Sequence, residues 1–181
     1  VFAAPAQSLG AAADLAEAAG CSIRMLGDAL EGEARDVAAS QAHQALAIRQ
    51  RLAAGDAPVL LLSGGELTVT RTGSGSGGPN AEFALALAIA LDGAEGIHAI
   101  ACDTDGVDGA AEVAGATIGP ETIRTARAKG LDPARALAAN DSHGFFEAIG
   151  GQIVTGPTLT NVNDFRAILV FPALPRQDLT A

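Results

Sequence analysis

Three aspartates, Asp103, Asp105 and Asp108, lie in the short stretch Asp103-Thr-Asp-Gly-Val-Asp-Gly109. They follow the apolar run Ile97 to Cys102, which predicts a buried strand. Carboxylate oxygens at the carboxyl end of such a strand in an α/β sheet are suited to hold Mg²⁺. We therefore predict that all three are catalytic residues and metal ligands. The alternative is a solvated acidic turn in which each aspartate bonds to its own backbone.

The second candidate is the glycine loop, residues 73–78. Gly73, Gly75 and Gly78 match the spacing G-x-G-x-x-G ahead of a predicted helix, so backbone N–H groups and the helix dipole could bind a phosphate. A flexible Gly/Ser turn is the alternative. A Walker A loop is excluded because it requires a lysine after its last glycine, and the only lysine of the chain is Lys129.

A dinucleotide site is a further interpretation of the same loop. Asp103 follows the last glycine at about the distance of the acid that binds the ribose. However, the adjacent Asp105 and Asp108 would repel a pyrophosphate, because like charges disfavour each other at short range. The strand before the glycines also looks like the second arm of a hairpin, which is not the setting of a dinucleotide loop.

Residues 155–163, here called the Thr/Asn loop, are rich in neutral hydrogen-bonding groups. Such groups orient a polyhydroxy or carboxylate substrate without adding negative charge. The predicted substrate-binding residues are Thr155, Gly156, Thr158, Thr160, Asn161 and Asn163. If the strand 165–171 runs antiparallel to the strands 59–62 and 97–102, this loop meets Ser63-Gly64-Gly65-Glu66 and the aspartates at one edge of the sheet.

The histidines and Ser63 give weaker signals. His43 lies within a long predicted helix and is expected at the surface or in packing, and His98 is expected to be a buried strand residue. His143 starts a helix and has the stronger claim to catalysis. No pair of histidines has the spacing of a zinc site, and Ser63 lacks the G-x-S-x-G pattern of a hydrolase.

Apolar periodicity divides the chain into alternating helices and strands. Helices are predicted at 8–19, 34–54, 80–91, 121–128, 133–138 and 142–149, and strands at 21–26, 59–62, 97–102 and 165–171. Residues 66–71 alternate, so Gly64-Gly65 could close a hairpin. This alternation predicts a three-layer α/β sandwich with a mixed, mostly parallel sheet and helices on both faces.

The composition limits the classes of partner that the chain is expected to bind. The 181 residues carry a net charge of −10 and only 11 basic residues, which excludes nucleic acid and anionic membranes as partners because both need a cationic face. No apolar run reaches the roughly 20 residues that span a bilayer, and no signal peptide is evident. Cys21 and Cys102 are expected to be free thiols in a reducing, cytoplasmic compartment.

Several segments in fixed order resemble the C-terminal domain, often called MOFRL, of the class II glycerate 2-kinases, a family also named hydroxypyruvate reductase. The segments are SGGELTVT, GSGSGGPNAEFALALA, DTDGVDG, AGA, NDSHGFF and TGPTLTNVNDFRAILV. The resemblance implies a MOFRL-like α/β domain at residues 57–181. It makes residues 1–56 the end of the N-terminal kinase domain or a connecting αβ segment. The chain, which begins at Val1 without Met, is then expected to be part of a longer enzyme.

The resemblance implies ATP- and Mg²⁺-dependent phosphorylation of D-glycerate to 2-phosphoglycerate in a cleft between two domains. Glu66 would join the three aspartates as a catalytic residue. Many members have Arg where this chain has Pro79, so one cation that could meet phosphate is missing here. The implied cofactor-binding residues are Ser63, Gly64, Gly65, Gly73, Gly75, Gly77, Gly78, Asn80 and Glu82.

Two other functions stay open. One is an NAD(P)H-dependent hydroxypyruvate reductase, suggested by the older family name and by the glycine spacing. The other is a catalytically silent metabolite-binding module. The chain alone is expected to be inactive because it lacks the family's N-terminal domain, which would be its partner beside a small-molecule substrate. A homodimer is also open.

Overall fold

The computed structural model describes residues 5–109 and 112–173. The elements in these ranges, in chain order, are α1 (Pro5–Ala18), β1 (Ser22–Leu30), α2 (Ala34–Arg51), β2 (Val59–Gly65), α3 (Pro79–Leu91), β3 (Ile97–Asp103), β4 (Gly115–Ile118), α4 (Thr122–Ala128), α5 (Pro133–Ala138), α6 (Ser142–Ile149), β5 (Gln152–Ile153) and β6 (Asp164–Val170). All six predicted helices are present, with ends within three residues of the expected ones.

The six strands form one sheet in the order β1-β2-β6-β3-β4-β5. β6 lies between β2 and β3 and is antiparallel to both. The predicted α/β fold with a mixed sheet is confirmed. The expectation of a mostly parallel sheet is corrected, because β1–β2 is the only parallel pair among the five neighbouring pairs. Helix–strand alternation suggests parallel pairs, but β4 follows β3 without a crossover helix, and β6 enters the sheet from the opposite direction.

Helices cover both faces of the sheet, as predicted. One face carries α2 to α6, whose buried residues form the main core together with Leu61, Ile97 and Ile168. The other face carries α1, which packs Leu9 against Leu62 and Ala167. α1 packs mainly against β1 and β2 and reaches β6 through Leu9, so among the described residues much of the β3–β4 half of this face is a groove.

His98 lies on that open half. It is exposed and meets the Phe171 ring edge-on, with the ring centroids 6.0 Å apart. The expectation of a buried His98 is therefore wrong. Its apolar neighbours in β3 predicted two covered faces, whereas among the described residues the groove leaves the His98 part of the second face open.

α3 is the central helix of the larger layer. Its sequence is apolar on all sides, which is typical of a helix surrounded by protein. Pro79 occupies the first turn, where its missing N–H costs nothing. Asn80 and Glu82 are buried in the same turn, at 0% and 1% exposure, so their polar groups need partners inside the protein.

The predicted hairpin at Gly64-Gly65 is wrong. β2 continues through Gly65, and residues 66–71 contribute only an isolated bridge between Thr68 and Glu33. Gly65 has φ +113°, and a Cβ there would collide with the backbone of Leu30 in β1. These glycines therefore serve close strand packing and not a two-residue turn.

Candidate functional site

Three strand ends meet at one edge of the sheet. In the register of the strands, Asp164 at the start of β6 pairs with Gly65 on one side and with Asp103 on the other. We call these three positions the rim. The Asp loop, residues 103–109, and the Thr/Asn loop both leave the sheet here, so the antiparallel arrangement proposed for β6 is confirmed. The rim gathers the acidic and neutral polar motifs at one end of the molecule.

Asp103 and Asp105 present carboxylate oxygens at this rim. Asp103 Oδ1 accepts the N–H of Asp105 at 3.0 Å, and Asp105 Oδ1 accepts the N–H of Val107 at 2.8 Å. Asp103 Oδ2 accepts no hydrogen bond from a described residue. Partial burial, reinforced by the charges of Asp105 and Asp164, raises the pKa of Asp103 to about 6. The rim therefore carries more negative charge than its own donors neutralise.

Asp108 has a different role from the one predicted. Its carboxylate is 1% exposed and accepts the backbone N–H groups of Asn80 and Ala81, at 2.9 and 2.8 Å, in the first turn of α3. Burial raises its pKa, and these N–H groups act in the opposite direction. Asp108 thus caps α3 from a distant loop.

The predicted metal set of Asp103, Asp105 and Asp108 is corrected accordingly. Within residues 5–109 and 112–173, no three His, Cys, Asp or Glu side chains are grouped so that they could hold a metal ion. Asp108 is removed from the set because both of its oxygens face α3 and not the rim. Asp103 and Asp105 remain as the carboxylates with lone pairs to offer.

The backbone N–H groups of Gly73 and Gly75 in the glycine loop donate hydrogen bonds to other parts of the same chain. Gly73 N donates to Asn140 Oδ1, and Gly75 N donates to the carbonyl of Ala139, at 2.8 and 2.9 Å. The helix N-terminus behind the loop already holds the Asp108 carboxylate. The anion predicted at the mouth of this helix is therefore a side chain of the same protein.

Close packing explains why glycine occurs at these positions. A Cβ at Gly73 would collide with the Ala139 carbonyl, and one at Gly77 would collide with the Ser142 hydroxyl. At Gly78 a Cβ would lie 2.5 Å from Asp108. The G-x-G-x-x-G spacing thus arises from contact between the loop, the α5–α6 turn and Asp108.

A buried pair below the rim was missed from the sequence. Arg166 is fully buried, and its Nη1 donates to Asp164 Oδ2 at 2.7 Å, while Asn80 Nδ2 donates to Asp164 Oδ1 at 2.7 Å. Burial lowers the pKa of Arg166, and the Asp164 carboxylate opposes that shift. Asn80, predicted to bind the cofactor, instead links α3 to β6.

Glu82 also makes internal contacts. Arg35 Nη2 lies 2.6 Å from Glu82 Oε1, and Asn140 Nδ2 donates to Glu82 Oε2 at 3.0 Å. The carboxylate, predicted to bind the cofactor, therefore connects α2, α3 and the turn after α5. Arg35 gave no signal in the sequence beyond its place in the first turn of a predicted helix.

The Ser63-Gly64-Gly65-Glu66 segment is mostly closed. Ser63 is 1% exposed, and its hydroxyl accepts a hydrogen bond from Gln41 Nε2 at 3.2 Å. Gly64 lies against the carbonyl of Asp164, where a Cβ would come within 3.2 Å. Glu66 is exposed, so it is the side chain of this segment that solutes can reach.

The Thr/Asn loop folds onto the Asp loop. Thr158 N donates to the Asp105 carbonyl at 3.1 Å, and Asn161 Nδ2 donates to Asp105 Oδ2 at 3.3 Å. Gly156 packs against Gly106, whereas the three threonines and two asparagines of the predicted substrate set are exposed at the surface. Within this exposed set, Thr158 and Asn161 are engaged with the Asp loop.

His143 and Cys102 are enclosed beside these groups. His143 is 4% exposed, and its Nε2 lies 3.1 Å from the Asp108 carbonyl oxygen. Cys102 and Cys21 are both free thiols, as expected. Burial and the nearby aspartates raise the pKa of Cys102 to about 11, so it is not a reactive thiolate near neutral pH. His43 is exposed on α2.

An open α/β sheet with an acidic rim at its strand ends defines the class of this domain. Residues 59–164 match the MOFRL family model, and the chain belongs to that family. None of the helices in the described ranges is long and apolar enough to cross a membrane.

Named relatives and a solved structure agree with this family. A protein of Agrobacterium vitis, provisionally named hydroxypyruvate reductase, is 52% identical over 94% of this chain and 39% of its own length. A D-glycerate 2-kinase of Thermotoga maritima is 44% identical over 59% of the chain and 26% of its own length. A crystal structure of glycerate kinase from Thermotoga maritima matches 93% of the chain and 41% of its own, with a TM-score of 0.87 and 34% identity. The chain thus spans less than half the length of these proteins.

Proposed function

We propose that this chain is the C-terminal part of a glycerate 2-kinase, which transfers a phosphoryl group from ATP to the 2-hydroxyl of D-glycerate. The observation that carries the proposal is the structural match to a glycerate kinase over 93% of the chain, at a TM-score of 0.87. In this proposal residues 57–181 form the MOFRL domain, and residues 1–56 are the end of the N-terminal domain or a connecting αβ segment, of which β1 joins the same sheet. The relatives' greater length supports that division.

The rim fits a divalent cation. Asp103 and Asp105 offer hard carboxylate oxygens, and Asp103 Oδ2 has no donor among the described residues. Partial burial, reinforced by the charges of Asp105 and Asp164, raises the pKa of Asp103, and a bound cation would favour its ionised form. We assign Mg²⁺ to Asp103 and Asp105. A bound Mg²⁺ supplies charge neutralisation for the transferring phosphoryl group.

The exposed residues that surround the rim are assigned next. Glu66 lies at the end of β2 with its side chain exposed, and in this proposal its carboxylate accepts the proton of the 2-hydroxyl. The Thr160 hydroxyl and the Asn163 amide are exposed and make no hydrogen bond to a described residue, so they can donate to glycerate. Thr155 is exposed as well, but its hydroxyl donates to the Gly156 carbonyl at 2.8 Å and can only accept. The glycine loop packs against the α5–α6 turn and Asp108, and Asp108 in turn ties the Asp loop to α3.

The test uses the protein at the full length of its relatives, with Asp105→Asn as the variant. Wild-type protein with ATP, Mg²⁺ and D-glycerate should yield 2-phosphoglycerate, identified by phosphorus NMR. Asp105→Asn should lower kcat by orders of magnitude because a carboxylate ligand is lost. Asp36→Asn, an exposed change in the first turn of α2, is the matched control. Unchanged turnover of Asp105→Asn would contradict the metal assignment.

A reductase is the second candidate, and the name of the Agrobacterium vitis relative favours it. The glycine spacing gives it no support, because packing against the α5–α6 turn accounts for those glycines. Incubation with hydroxypyruvate and NADH separates the two activities. Oxidation of NADH without phosphorylation of glycerate would replace the kinase proposal, and stabilisation by Mg²⁺ and ATP without turnover would indicate a binding module.

A further inference from the structure

We propose that Thr158 is a positioning residue for the cation site, and that the Thr/Asn loop acts chiefly as a clamp on the Asp loop. This inference rests on the proposed function, because it assumes that Asp103 and Asp105 hold the divalent cation. It assigns to Thr158 and Asn161 a task other than the substrate contact that the sequence predicts.

The contacts of Thr158 carry the argument. Its hydroxyl lies 2.5 Å from the carbonyl of Thr104 and 3.1 Å from that of Thr160, and the shorter contact makes Thr104 the main acceptor. Its backbone N–H donates to the carbonyl of Asp105 at 3.1 Å. One threonine therefore holds two consecutive peptide groups of the Asp loop, including that of a cation ligand. Because the hydroxyl has a single hydrogen and donates it to the backbone, it has none to give to glycerate.

Neighbouring residues complete the clamp. Asn161 Nδ2 donates to Asp105 Oδ2 at 3.3 Å, while Val107 N donates to the other oxygen at 2.8 Å. Thr104 Oγ1 donates to the Asn163 carbonyl at 2.8 Å. Both oxygens of the Asp105 carboxylate are thus oriented by donors, and each oxygen keeps a lone pair for a cation. Groups that orient a ligand in this way commonly change metal affinity 10- to 100-fold when removed.

Backbone strain in the loop is a second, independent observation. Leu159 has φ +60° and Asn163 has φ +63°, the left-handed region that side chains other than glycine seldom adopt. Leu159 is also 97% exposed, so packing does not hold it in that conformation. Hydrogen bonds to the Asp loop must compensate for the strain, since such residues persist only where the surroundings determine them.

The experiment measures binding of Mn²⁺, a spectroscopic substitute for Mg²⁺, to the protein by electron paramagnetic resonance. Thr158→Val removes the hydroxyl and keeps the shape of the side chain, and Thr158→Ser restores the hydroxyl. Thr125→Val in α4 is the matched control, because the Thr125 hydroxyl makes no hydrogen bond to any residue in the described ranges. We expect Thr158→Val to weaken Mn²⁺ binding about tenfold. Thr158→Ser and Thr125→Val should bind Mn²⁺ as the wild type does.

The outcomes separate this inference from the proposed function. Wild-type binding of Mn²⁺ in Thr158→Val, or equal weakening in Thr158→Ser, would overturn the positioning role and leave the cation site intact. Wild-type protein that binds no Mn²⁺ would overturn both. Melting temperatures without metal serve as the reference, since a purely structural role would lower them in Thr158→Val without a selective loss of affinity.

Discussion

The carboxylates of Asp103 and Asp108 show how neighbouring residues decide the role of identical groups. Asp108 accepts two backbone N–H groups of α3 and is closed to solvent, whereas Asp103 keeps an oxygen with no donor in the described part of the chain. A buried carboxylate with several donors stabilises the fold, whereas a partly buried carboxylate with one donor and acidic neighbours is destabilised in its charged form. Each situation leads to a measurable consequence.

Asp103→Asn should stabilise the metal-free protein at neutral pH. The folded state raises the pKa of Asp103 from its ordinary 3.8 to about 6, so it favours the neutral form. The contribution of this pKa shift to the stability of the folded state is fully present below about pH 4 and is lost as pH rises through about 6. With a discount for solvent screening, the variant should gain about 1 kcal/mol in the free energy of unfolding at pH 7 and nothing at pH 4. Urea unfolding with a chelator present measures both values.

Asp103→Glu is the companion variant, because it keeps the carboxyl group and should keep the pH-dependent loss. An Asp103→Asn gain of equal size at pH 4 and pH 7 would show that repulsion at the rim is not its source. Added Mg²⁺ should stabilise the wild type and leave Asp103→Asn unchanged, because ligand binding to the folded state alone raises stability.

Asp108→Ala should destabilise the protein far more than an ordinary cap mutation. It leaves two buried N–H groups of α3 without an acceptor, which costs about 2 to 4 kcal/mol. Asp132 is the control, because it caps α5 through Ala134 and Arg135 in an exposed setting, and Asp132→Ala should cost about 1 kcal/mol. Equal losses in thermal unfolding would show that the distant cap contributes no more than a local one.

At the scale of elements, the glycine loop is a packing device between α3 and the α5–α6 turn. Gly73→Ala should destabilise the fold by about 1 to 3 kcal/mol, because its Cβ would collide with the Ala139 carbonyl. Gly10→Ala in α1 is the control. No atom of a described residue lies within 4 Å of a Cβ there, and alanine should stabilise the helix by up to about 1 kcal/mol. Chemical denaturation of both variants measures the change in the free energy of unfolding. If the loop were a flexible turn, Gly73→Ala would have little effect.

Helices and long strands could be predicted from the sequence, and short or irregular ones could not. α5 and α6 have the predicted bounds, because Asp132 and Pro133 mark one start and Gly150 marks one end. β4 and β5 have four and two residues, too few for a period of two to appear. Their position in the sheet is fixed by partners distant in sequence, which no local pattern contains.

The location of the site could be predicted from the sequence, but the roles of its residues could be predicted less well. The motifs converge on the rim because strand ends carry them, and that follows from the order of strands and loops. The Arg166–Asp164 pair was not predicted, because a charged residue in a strand is normally taken as solvent-facing. Asn80, the second buried partner of Asp164, lies in another element. Which aspartate of the Asp loop caps α3 depends on the conformation of the loop, which the sequence does not specify.

At the scale of the whole molecule, β6 is the structural centre of the sheet. It is hydrogen-bonded on both sides along its length, whereas β5 is a two-residue edge strand. Amide hydrogen exchange should therefore be slowest in β6 and faster in β5, since exchange reports the free energy of local opening. Mass spectrometry of exchanged peptides measures the order, and equal protection of the two strands would contradict it.

Because β6 is the last of the described strands to leave the ribosome, β2 and β3 cannot join through it until nearly all of the described chain has been synthesised. Until then the nascent chain carries two half-sheets with unpaired edges, the kind of surface that chaperones shield and that aggregation exploits. Insertion of this strand also brings Asp164 beside Asp103. Completion of the fold and assembly of the acidic rim are consequently the same event.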